Sequence, residues 1–171
     1  MTQAQSPDEL FDVVDENDQV TGQNTRSEVH RLGLLHRAIH IFVFDSVGRL
    51  LLQKRSAAKD EFPSMWTSSA SGHVDAGEDY DNAAARELTE ELDLNVPLRK
   101  LQKFSACDQT ANEFVVLYQA TTDEPVTFPA VEIDAVESVE MNSLVNRIAT
   151  DPDRFAPSFR YLFDWYIASF S

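Results

Sequence analysis

Three glutamates stand close together in the chain, at positions 87, 90 and 91. On a helix their side chains fall within about a 100° sector of the surface. Like charges at this spacing repel one another, and the last turn of a helix disfavours anions because of the helix dipole. A divalent cation such as Mg²⁺ or Mn²⁺ relieves both problems, since it prefers oxygen ligands and leaves positions open for water and phosphate. The spacing therefore indicates a metal site or, as the alternative, a solvated acidic face.

Two glycines that precede the glutamates favour the metal site. Gly72 and Gly77 are expected to bracket a tight loop in which backbone carbonyls and amides approach a ligand closely. Asp79 is a predicted N-cap for a helix over residues 80–92. Alanine and leucine side chains on a second sector of this helix are expected to pack on a sheet.

The stretch from Gly72 to Leu94 resembles the Nudix box, which reads Gly-x5-Glu-x7-Arg-Glu-aliphatic-x-Glu-Glu-x-Gly-aliphatic. The matching residues are Gly72, Glu78, Arg86, Glu87, Leu88, Glu90, Glu91 and Leu94. Chance agreement at the six invariant positions is on the order of 10⁻⁷ for each starting point. The one departure is Asp93, where the family has glycine. Aspartate is among the few other residues that tolerate a left-handed helix end.

The resemblance implies a fold of the α/β (α+β) class, an α/β/α sandwich with a mixed central sheet, forming a single domain over residues 1–171. It also implies a hydrolase that uses Mg²⁺ or Mn²⁺ to cleave the diphosphate linkage of a nucleoside diphosphate derivative or related organic diphosphate. Water attacks phosphorus in such a reaction, and the metal offsets the charge of the diphosphate.

Individual roles are carried over from the family to matching positions. The implied metal ligands are Glu87, Glu90, Glu91 and the backbone carbonyl near Gly72, and the implied catalytic residues are Glu90, Glu87 and Arg86. Arg86 would hold the carboxylates in position, while Glu78 would brace the loop or the arginine. One box glutamate, or an acid on a later loop such as Glu132 or Glu137, would deprotonate the attacking water.

Residues 10–94 resemble more narrowly the branch of the superfamily that contains type I isopentenyl-diphosphate isomerase. The shared segments are residues 33–38 and 51–56, Lys59, and Pro63 through Trp66 to His73. The isomerase moves protons with a cysteine just before its Gly-His pair and with two acids one residue apart. The corresponding positions here are Ser71, Ala111 and Glu113, and the single cysteine, Cys107, lies elsewhere. A hydroxyl handles protons poorly near neutral pH, so hydrolysis is favoured over isomerisation.

Basic residues are expected to hold the diphosphate. Arg55 and Lys59 match residues that contact the diphosphate in the isomerase, and Arg37 is expected near the same pocket. Arg55 is the best candidate, because its planar fork suits phosphate oxygens. Phe62 and Trp66 are candidates for stacking on a nucleobase, although core or loop packing is more common for such residues.

All four histidines of the chain lie between positions 30 and 73. His36 and His73 match ligands of an additional metal site in the isomerase, and Glu113 is a candidate oxygen ligand beside them. His30 is one residue out of step with the third histidine. The alternative is that these histidines cap loops by hydrogen bonding and that His40 fills the core of its strand.

Composition restricts the partners of the protein. The chain has 171 residues, with 14 Lys and Arg against 29 Asp and Glu, and a formal charge of −15. Such a charge disfavours nucleic acid and anionic membranes, which leaves a small-molecule diphosphate as the expected partner of a monomer or homodimer. A single cysteine excludes an intrachain disulfide. The sequence predicts neither a secretory signal nor a membrane-spanning segment, so a cytoplasmic location is expected.

The elements that must position these residues are predicted from hydrophobic periodicity. The N-terminal extension, residues 1–30, is expected to form a hairpin of strands 10–14 and 20–22. Further strands are predicted at 38–44 and 49–54, which are expected to form a hairpin with each other, and at 66–70, 101–106, 113–120 and 136–141. The region 142–171 is expected to be helical, with a short helix at 144–149 and a C-terminal helix whose Phe155, Phe159, Leu162, Tyr166 and Phe170 recur at helical spacing.

Two other functions stay open besides hydrolysis of a diphosphate. The first is an isomerase acting on isopentenyl diphosphate. The second is a catalytically silent domain that binds a nucleotide to sense or regulate. The second is the weaker, because such domains typically lose box glutamates and all of them are present here.

Overall fold

Helices cover both faces of a central mixed sheet in the computed structural model, which describes residues 6–170. The strands are β1 (Leu10–Val14), β2 (Val20–Thr25), β3 (His36–Phe44), β4 (Leu50–Arg55), β5 (Trp66–Thr67), β6 (Ala70–His73), β7 (Arg99–Phe104), β8 (Glu113–Thr121) and β9 (Ile133–Val139). The helices are α1 (Arg26–Leu32), α2 (Tyr80–Leu92), α3 (Met141–Thr150) and α4 (Pro157–Phe170). The predicted fold class is confirmed, including the separate two-stranded hairpin of β1 and β2.

The main sheet has the strand order β5-β4-β3-β8-β7, with β6 also paired to β3 and β9 also paired to β4. The pair β3 and β8 is parallel, from His36 opposite Glu113 to Phe44 opposite Thr121. Both strands are almost wholly buried, as expected of a parallel pair covered on both faces. At one end of this order, β7 pairs antiparallel with β8 and carries an irregularity at Leu101.

The strands β3 and β4 separate soon after the turn that joins them, although a hairpin was the expectation. Their ladder consists of one pair, Phe44 opposite Leu50. The buried Ser69 hydroxyl bridges the opening, since it accepts from Val43 N at 2.8 Å and donates to Leu51 O at 2.5 Å. One side chain thus replaces ladder hydrogen bonds, and side chains from α2 can reach between β4 and β6.

Two apolar clusters pack on the two faces of the sheet. One joins α2 to the sheet, and the predicted packing sector of Ala84, Leu88 and Leu92 is confirmed as fully buried. The other joins α3 and α4 to the opposite face. In the predicted aromatic stripe the first three members are buried, whereas Phe170 is 51% exposed. Phe155 precedes α4 and forms a bridge with Trp66.

Local signals explain where the elements differ from expectation. The predicted strand 66–70 is divided into β5 and β6, and α1 was not predicted. The side chain of Thr25 caps α1 by accepting from Glu28 N at 3.3 Å. Asp93 ends α2 with φ 55°, which confirms that aspartate takes the left-handed position here. No helix within residues 6–170 is long and apolar enough to cross a membrane.

Candidate active site

A cavity of about 420 Å³ opens beside α2, β6 and the segment that follows β4. Among residues 6–170, its wall carries eight acidic side chains and four basic ones. The basic residues are Arg26, Arg55, Lys59 and Arg86. Because carboxylates outnumber cations twofold, a diphosphate anion is repelled unless further positive charge is present.

Gly72, which was expected to bracket a tight loop together with Gly77, lies in β6 opposite Ile39 of β3. A Cβ atom at this position would collide with the carboxylate of Glu87. Any side chain here would displace the Glu87 carboxylate, so glycine matters at this position for its lack of a side chain and not for a special backbone conformation. The turn itself depends on Gly77, which has φ +78°. It lies inside the turn that is closed by the hydrogen bond from Glu78 N to Asp75 O.

Two of the box glutamates are deeply placed. Glu91 is buried between β4 and β6, where its Oε2 accepts from Gln53 Nε2 at 2.6 Å and from Ser71 N at 3.2 Å. Burial raises the pKa of Glu91 to about 7. Burial and the neighbouring charge of Glu91 also raise the pKa of Glu87 well above its ordinary value. The side chain of Glu90 is 47% exposed. The helix thus presents closely spaced oxygen ligands at graded depth.

Arg86 organises this cluster. Its Nε and one terminal nitrogen donate to the two oxygens of Glu78, each at 2.9 Å. The other terminal nitrogen donates to Glu87 Oε1 at 2.7 Å and reaches Glu90 Oε2 at 3.4 Å. Since Glu78 also accepts from Asp75 N at 3.1 Å, it braces both the arginine and the loop.

Of the three basic residues predicted to bind the diphosphate, two line the cavity and one does not. Arg55 lines the cavity and uses Nε to donate to Glu61 O at 2.9 Å, while its terminal nitrogens have no hydrogen-bond partner within the described range. Lys59 also lines the cavity, with Nζ 3.3 Å from Glu132 Oε2. Arg37 does not line the cavity, and the expectation for it was wrong. Side chains alternate along a strand, so Arg37 faces away from the Ala38 side of β3.

Arg37 instead supports the N-terminal hairpin. Its Nε donates to Asp18 Oδ1 at 2.6 Å, and its guanidinium lies 5.5 Å from the ring centroid of Tyr80. The later acids divide in a similar way. Glu132 lines the cavity, whereas Glu137 is paired with Arg147 at 2.9 Å on the surface. Phe62 lines the cavity and Trp66 does not.

The predicted histidines come together at another part of the cavity. One ring nitrogen from each of His30, His36 and His73 lies within 4.8 Å of the others. Glu113 Oε1 is 2.9 Å from His73 Nε2 and 3.4 Å from His36 Nε2. His36 Nδ1 donates to Leu34 O at 2.8 Å, so in the neutral ring the lone pair is on Nε2. Burial opposes the charged ring, but Glu113 outweighs burial and raises the pKa of His36, so a cation must displace the proton from Nε2. Within residues 6–170 the buried Nε2 atoms of His30 and His36 make no hydrogen bond, although Glu113 lies near His36 Nε2, so this cluster fits a cation.

Arg26 acts against that fit at one position. Its guanidinium lies 3.3 Å from His73 Nδ1 and can only donate. His73 then carries its proton on Nε2, which donates to Glu113, and it has no free lone pair on that nitrogen. The histidine cluster is therefore complete as a ligand set only when Arg26 releases His73.

Several residues of the site were missed by sequence reasoning. Arg26 is buried because α1 turns it inward, and the spacing of Thr25 and Glu28, typical of a helix N-terminus, could have revealed that helix. Phe11 of the hairpin stacks on His73 with centroids 4.5 Å apart. Glu9 lines the cavity, and no sequence signal pointed to it.

The buried histidine of β3 has a separate environment. His40 lines the cavity, and its Nδ1 lies 2.7 Å from Ser68 Oγ. Burial lowers the pKa of His40 to about 4, so the ring is neutral near pH 7. The expectation that it fills the core of its strand agrees with its exposure of 4%.

Comparisons with known proteins agree with this geometry. The NUDIX domain family model matches residues 34–166. A protein named isopentenyl-diphosphate Delta-isomerase 2, from Photorhabdus laumondii, is 44% identical over 97 residues, covering 57% of this chain and 55% of that protein. The chain thus spans about half the length of that relative.

Other similarities extend over most of the chain. An isopentenyl-diphosphate Delta-isomerase from Serratia proteamaculans is 33% identical and covers 86% of each chain. A prenyl-diphosphate phosphatase from Methanosarcina mazei is 31% identical, covering 88% of this chain and 91% of that protein. The crystal structure of DR0079 from Deinococcus radiodurans is similar with a TM-score of 0.75 at 32% identity, covering 83% of this chain and 90% of that chain.

Proposed function

The chain belongs to the Nudix family, and from this premise we propose that it is an Mg²⁺- or Mn²⁺-dependent hydrolase of a nucleoside diphosphate derivative or related organic diphosphate. Water attacks phosphorus and the diphosphate linkage breaks. The protein acts on a small molecule, in the cytoplasm, as a monomer or homodimer. The similarity to a prenyl-diphosphate phosphatase supports an organic diphosphate as the substrate class.

The observation that carries this proposal is the unmatched negative charge around the cavity. Among residues 6–170, eight acidic side chains face four basic ones; Glu91 is buried, the side chain of Glu87 is 13% exposed, and both have raised pKa values. Burying carboxylates without counter-charge is unfavourable, so such an arrangement is expected where a cation binds. The donor set also fits, because it consists of oxygens, which Mg²⁺ and Mn²⁺ prefer.

Each residue has a defined task in this reaction. Glu87, Glu90, Glu91 and the backbone at Gly72 would hold the ion, which supplies charge neutralisation and a more acidic water. Arg86 keeps two of these carboxylates in place through its bonds at 2.7 and 3.4 Å. The terminal nitrogens of Arg55 make no hydrogen bond with residues 6–170 and can bind phosphate oxygens, and Lys59 adds positive charge at the same cavity.

The proton of the attacking water goes to a carboxylate at the cavity. Glu90 is our first choice, because it is half exposed and close to the other box glutamates. Glu132 is the alternative, since it is the later acid that lines the cavity. Glu137 is left out because it is paired with Arg147 on the surface. Separate Glu90→Gln and Glu132→Gln variants distinguish the two, since loss of the base lowers kcat by about 10²- to 10⁴-fold.

A panel of diphosphates tests the proposal. Nucleoside diphosphate sugars, dinucleoside polyphosphates and prenyl diphosphates are incubated with the protein and Mg²⁺ or Mn²⁺ in ¹⁸O-water, and the products are identified by mass spectrometry. We expect cleavage with ¹⁸O in a phosphoryl product. Glu91→Gln is expected to lower kcat by about 10²-fold or more while the protein stays folded.

Two results would contradict the proposal. The first is that the Glu91→Gln variant turns over as fast as the parent. The second is that no diphosphate is cleaved with either metal, and if nucleotides then bind intact, the protein is a silent nucleotide-binding domain.

Isomerisation of isopentenyl diphosphate is the second candidate function, because two relatives carry that name. Ser71 and Glu113 both line the cavity, so the positions that would move protons are present. The thiol and one acid are nevertheless missing, and Cys107 lies outside the cavity lining, 3.6 Å from Thr110 Oγ1. Incubation with isopentenyl diphosphate distinguishes the two functions. A shifted double bond, detected by proton NMR, supports isomerisation, whereas released phosphate supports hydrolysis.

A second metal ion is also proposed, held by His36, His73 and Glu113 with His30 beside them. The two buried, unpartnered Nε2 atoms support it. Metal analysis of the purified protein should show a second equivalent that is lost in His36→Gln. Arg26→Gln should bind this ion more tightly, because it frees His73 to turn its lone pair inward.

A further inference from the structure

Gln53 is a buried amide placed among the elements that form the metal site. It lies in β4, is 1% exposed, and belongs to neither the box nor any predicted site. Its Nε2 donates to Glu91 Oε2 at 2.6 Å and to Ser69 O at 3.2 Å. Both amide protons are therefore used, and the side chain has one defined orientation.

The same carboxylate oxygen receives a second hydrogen bond. Ser71 N, in β6, donates to Glu91 Oε2 at 3.2 Å. Two donors from two strands thus meet on Oε2, whereas Oε1 of Glu91 has no hydrogen-bond donor within residues 6–170. The carboxylate is held at one oxygen and left open at the other.

This asymmetry has a direct consequence for a bound cation. We propose that Gln53 is a positioning residue that presents Glu91 to the divalent cation through Oε1 alone. The inference rests on the proposed function, because it concerns the same metal site. A carboxylate held in this way binds as a one-oxygen ligand and leaves more coordination positions for water and phosphate.

Simple packing does not explain an amide at this position. The neighbouring buried residues of β4, Leu50 and Leu52, are apolar and fully buried. Methionine has nearly the same length and volume as glutamine and would fill the site without burying polar atoms. Gln53 is therefore better explained by its bond to Glu91 than by the space it fills.

The test is the affinity for Mn²⁺, measured by electron paramagnetic resonance on the full chain without substrate. Gln53→Met is expected to weaken binding by about 10- to 100-fold, as is typical when a group that orients a metal ligand is removed. At saturating Mn²⁺, the KM for a diphosphate should change by less than about threefold, because Gln53 is not among the residues of the described range that line the cavity.

Thr67→Val is the matched control. Thr67 lies opposite Gln53 in β5, is buried and has no hydrogen bond to Glu91. Its Mn²⁺ affinity is expected to stay within about twofold of the parent, which separates general disturbance of β4 and β5 from the loss of this one bond. Gln53→Asn serves as a second variant if Gln53→Met is unstable, since it keeps an amide but is too short to reach Glu91.

The outcomes separate this inference from the proposed function. If Glu91→Gln weakens Mn²⁺ binding while both Gln53 variants bind like the parent, the role given to Gln53 is wrong. If Glu91→Gln itself binds Mn²⁺ like the parent, the metal site of the proposed function is wrong. Weakening in the Gln53 variants and in Glu91→Gln, but not in Thr67→Val, supports both.

Discussion

Two groups of carboxylates that are largely shielded from solvent have opposite electrostatic environments in this protein. Asp18, beneath the N-terminal hairpin, accepts from Arg37 Nε at 2.6 Å, from Tyr80 OH at 2.8 Å and from Lys103 Nζ. Burial alone would raise its pKa, but the hydrogen bonds from Lys103, Arg37 and Tyr80 outweigh burial and lower it. The protein itself supplies all the positive charge that this carboxylate needs.

Glu87 and Glu91 receive no such compensation. Burial raises the pKa of both, and the nearest help is an arginine shared with other acids and a neutral amide. Under the proposed function, Asp18 is a structural acid, whereas Glu87 and Glu91 are acids that bind a cation. A structural carboxylate is matched within the chain, whereas a binding carboxylate is left unmatched for a partner from outside.

The largest expected effect concerns the matched carboxylate. Asp18→Ala should lower the free energy of unfolding by about 3 kcal/mol, because it leaves Arg37 and Tyr80 without their partner. Chemical denaturation measures this change. Glu137→Ala, which breaks an exposed pair with Arg147, is the control and should cost less than about 1 kcal/mol. Equal losses in both variants would remove the distinction between the two kinds of acid.

The next effect concerns Gly72, whose missing side chain leaves room for the carboxylate of Glu87. Gly72→Ala should lower kcat by about 10²-fold, because the added methyl group displaces Glu87 from its place. Steady-state kinetics on the best diphosphate measures it. Gly22→Ala is the control, since a Cβ there meets nothing within 4 Å. Unchanged kcat in Gly72→Ala would show that the position of Glu87 is not important.

A smaller effect appears in stability without metal. Because folding raises the pKa of Glu91 from 4.5 to about 7, its contribution to stability is fully present below pH 4.5 and is lost as the pH rises through about 7. Glu91→Gln removes this loss and should therefore be about 2 kcal/mol more stable than the metal-free parent at pH 8, with no gain at pH 4.5. Thermal unfolding in chelator at both pH values measures the difference. A variant less stable than the parent at pH 8 would contradict the assignment of Glu91 as an unmatched acid.

The smallest effect distinguishes Arg55, which lines the cavity, from Arg37, which is paired with Asp18. Arg55→Gln should raise the KM for a diphosphate about tenfold, since the terminal nitrogens of Arg55 at the cavity make no hydrogen bond in the described part of the chain. Arg37→Gln should leave the KM unchanged and lower the melting temperature, because Arg37 supports Asp18. The reverse pattern would restore Arg37 to the substrate site.

The sequence was most informative where one helix carries the signal. The spacing of Glu87, Glu90 and Glu91 predicted the surface they share, and the buried sector of α2 was predicted with it. Even the left-handed Asp93 followed from residue type. These are properties of neighbouring residues on a regular helix, for which periodicity is a direct guide.

Long-range arrangements were less accessible. Gly72 was expected to border a loop. The reason for this glycine is its closeness in space to Glu87, which is 15 positions away in the chain and could not be inferred from local sequence. The separation of β3 from β4 depends on a hydroxyl of Ser69 from a third segment. Arg37 was misplaced because one position along a strand changes the face on which a side chain lies.

The exposed end of the sheet bears on how copies of the chain meet. An unpaired strand edge offers its amides and carbonyls to any other extended chain, which is a route to aggregation. Three of the six residues of β7 are cations, Arg99, Lys100 and Lys103, and the irregularity at Leu101 interrupts the flat edge. Lys100 and Lys103 are paired with Asp81 and Asp18, so Arg99 is the cation that two copies approaching through this strand would bring together. This acidic protein thus places positively charged side chains on the strand edge where aggregation would begin.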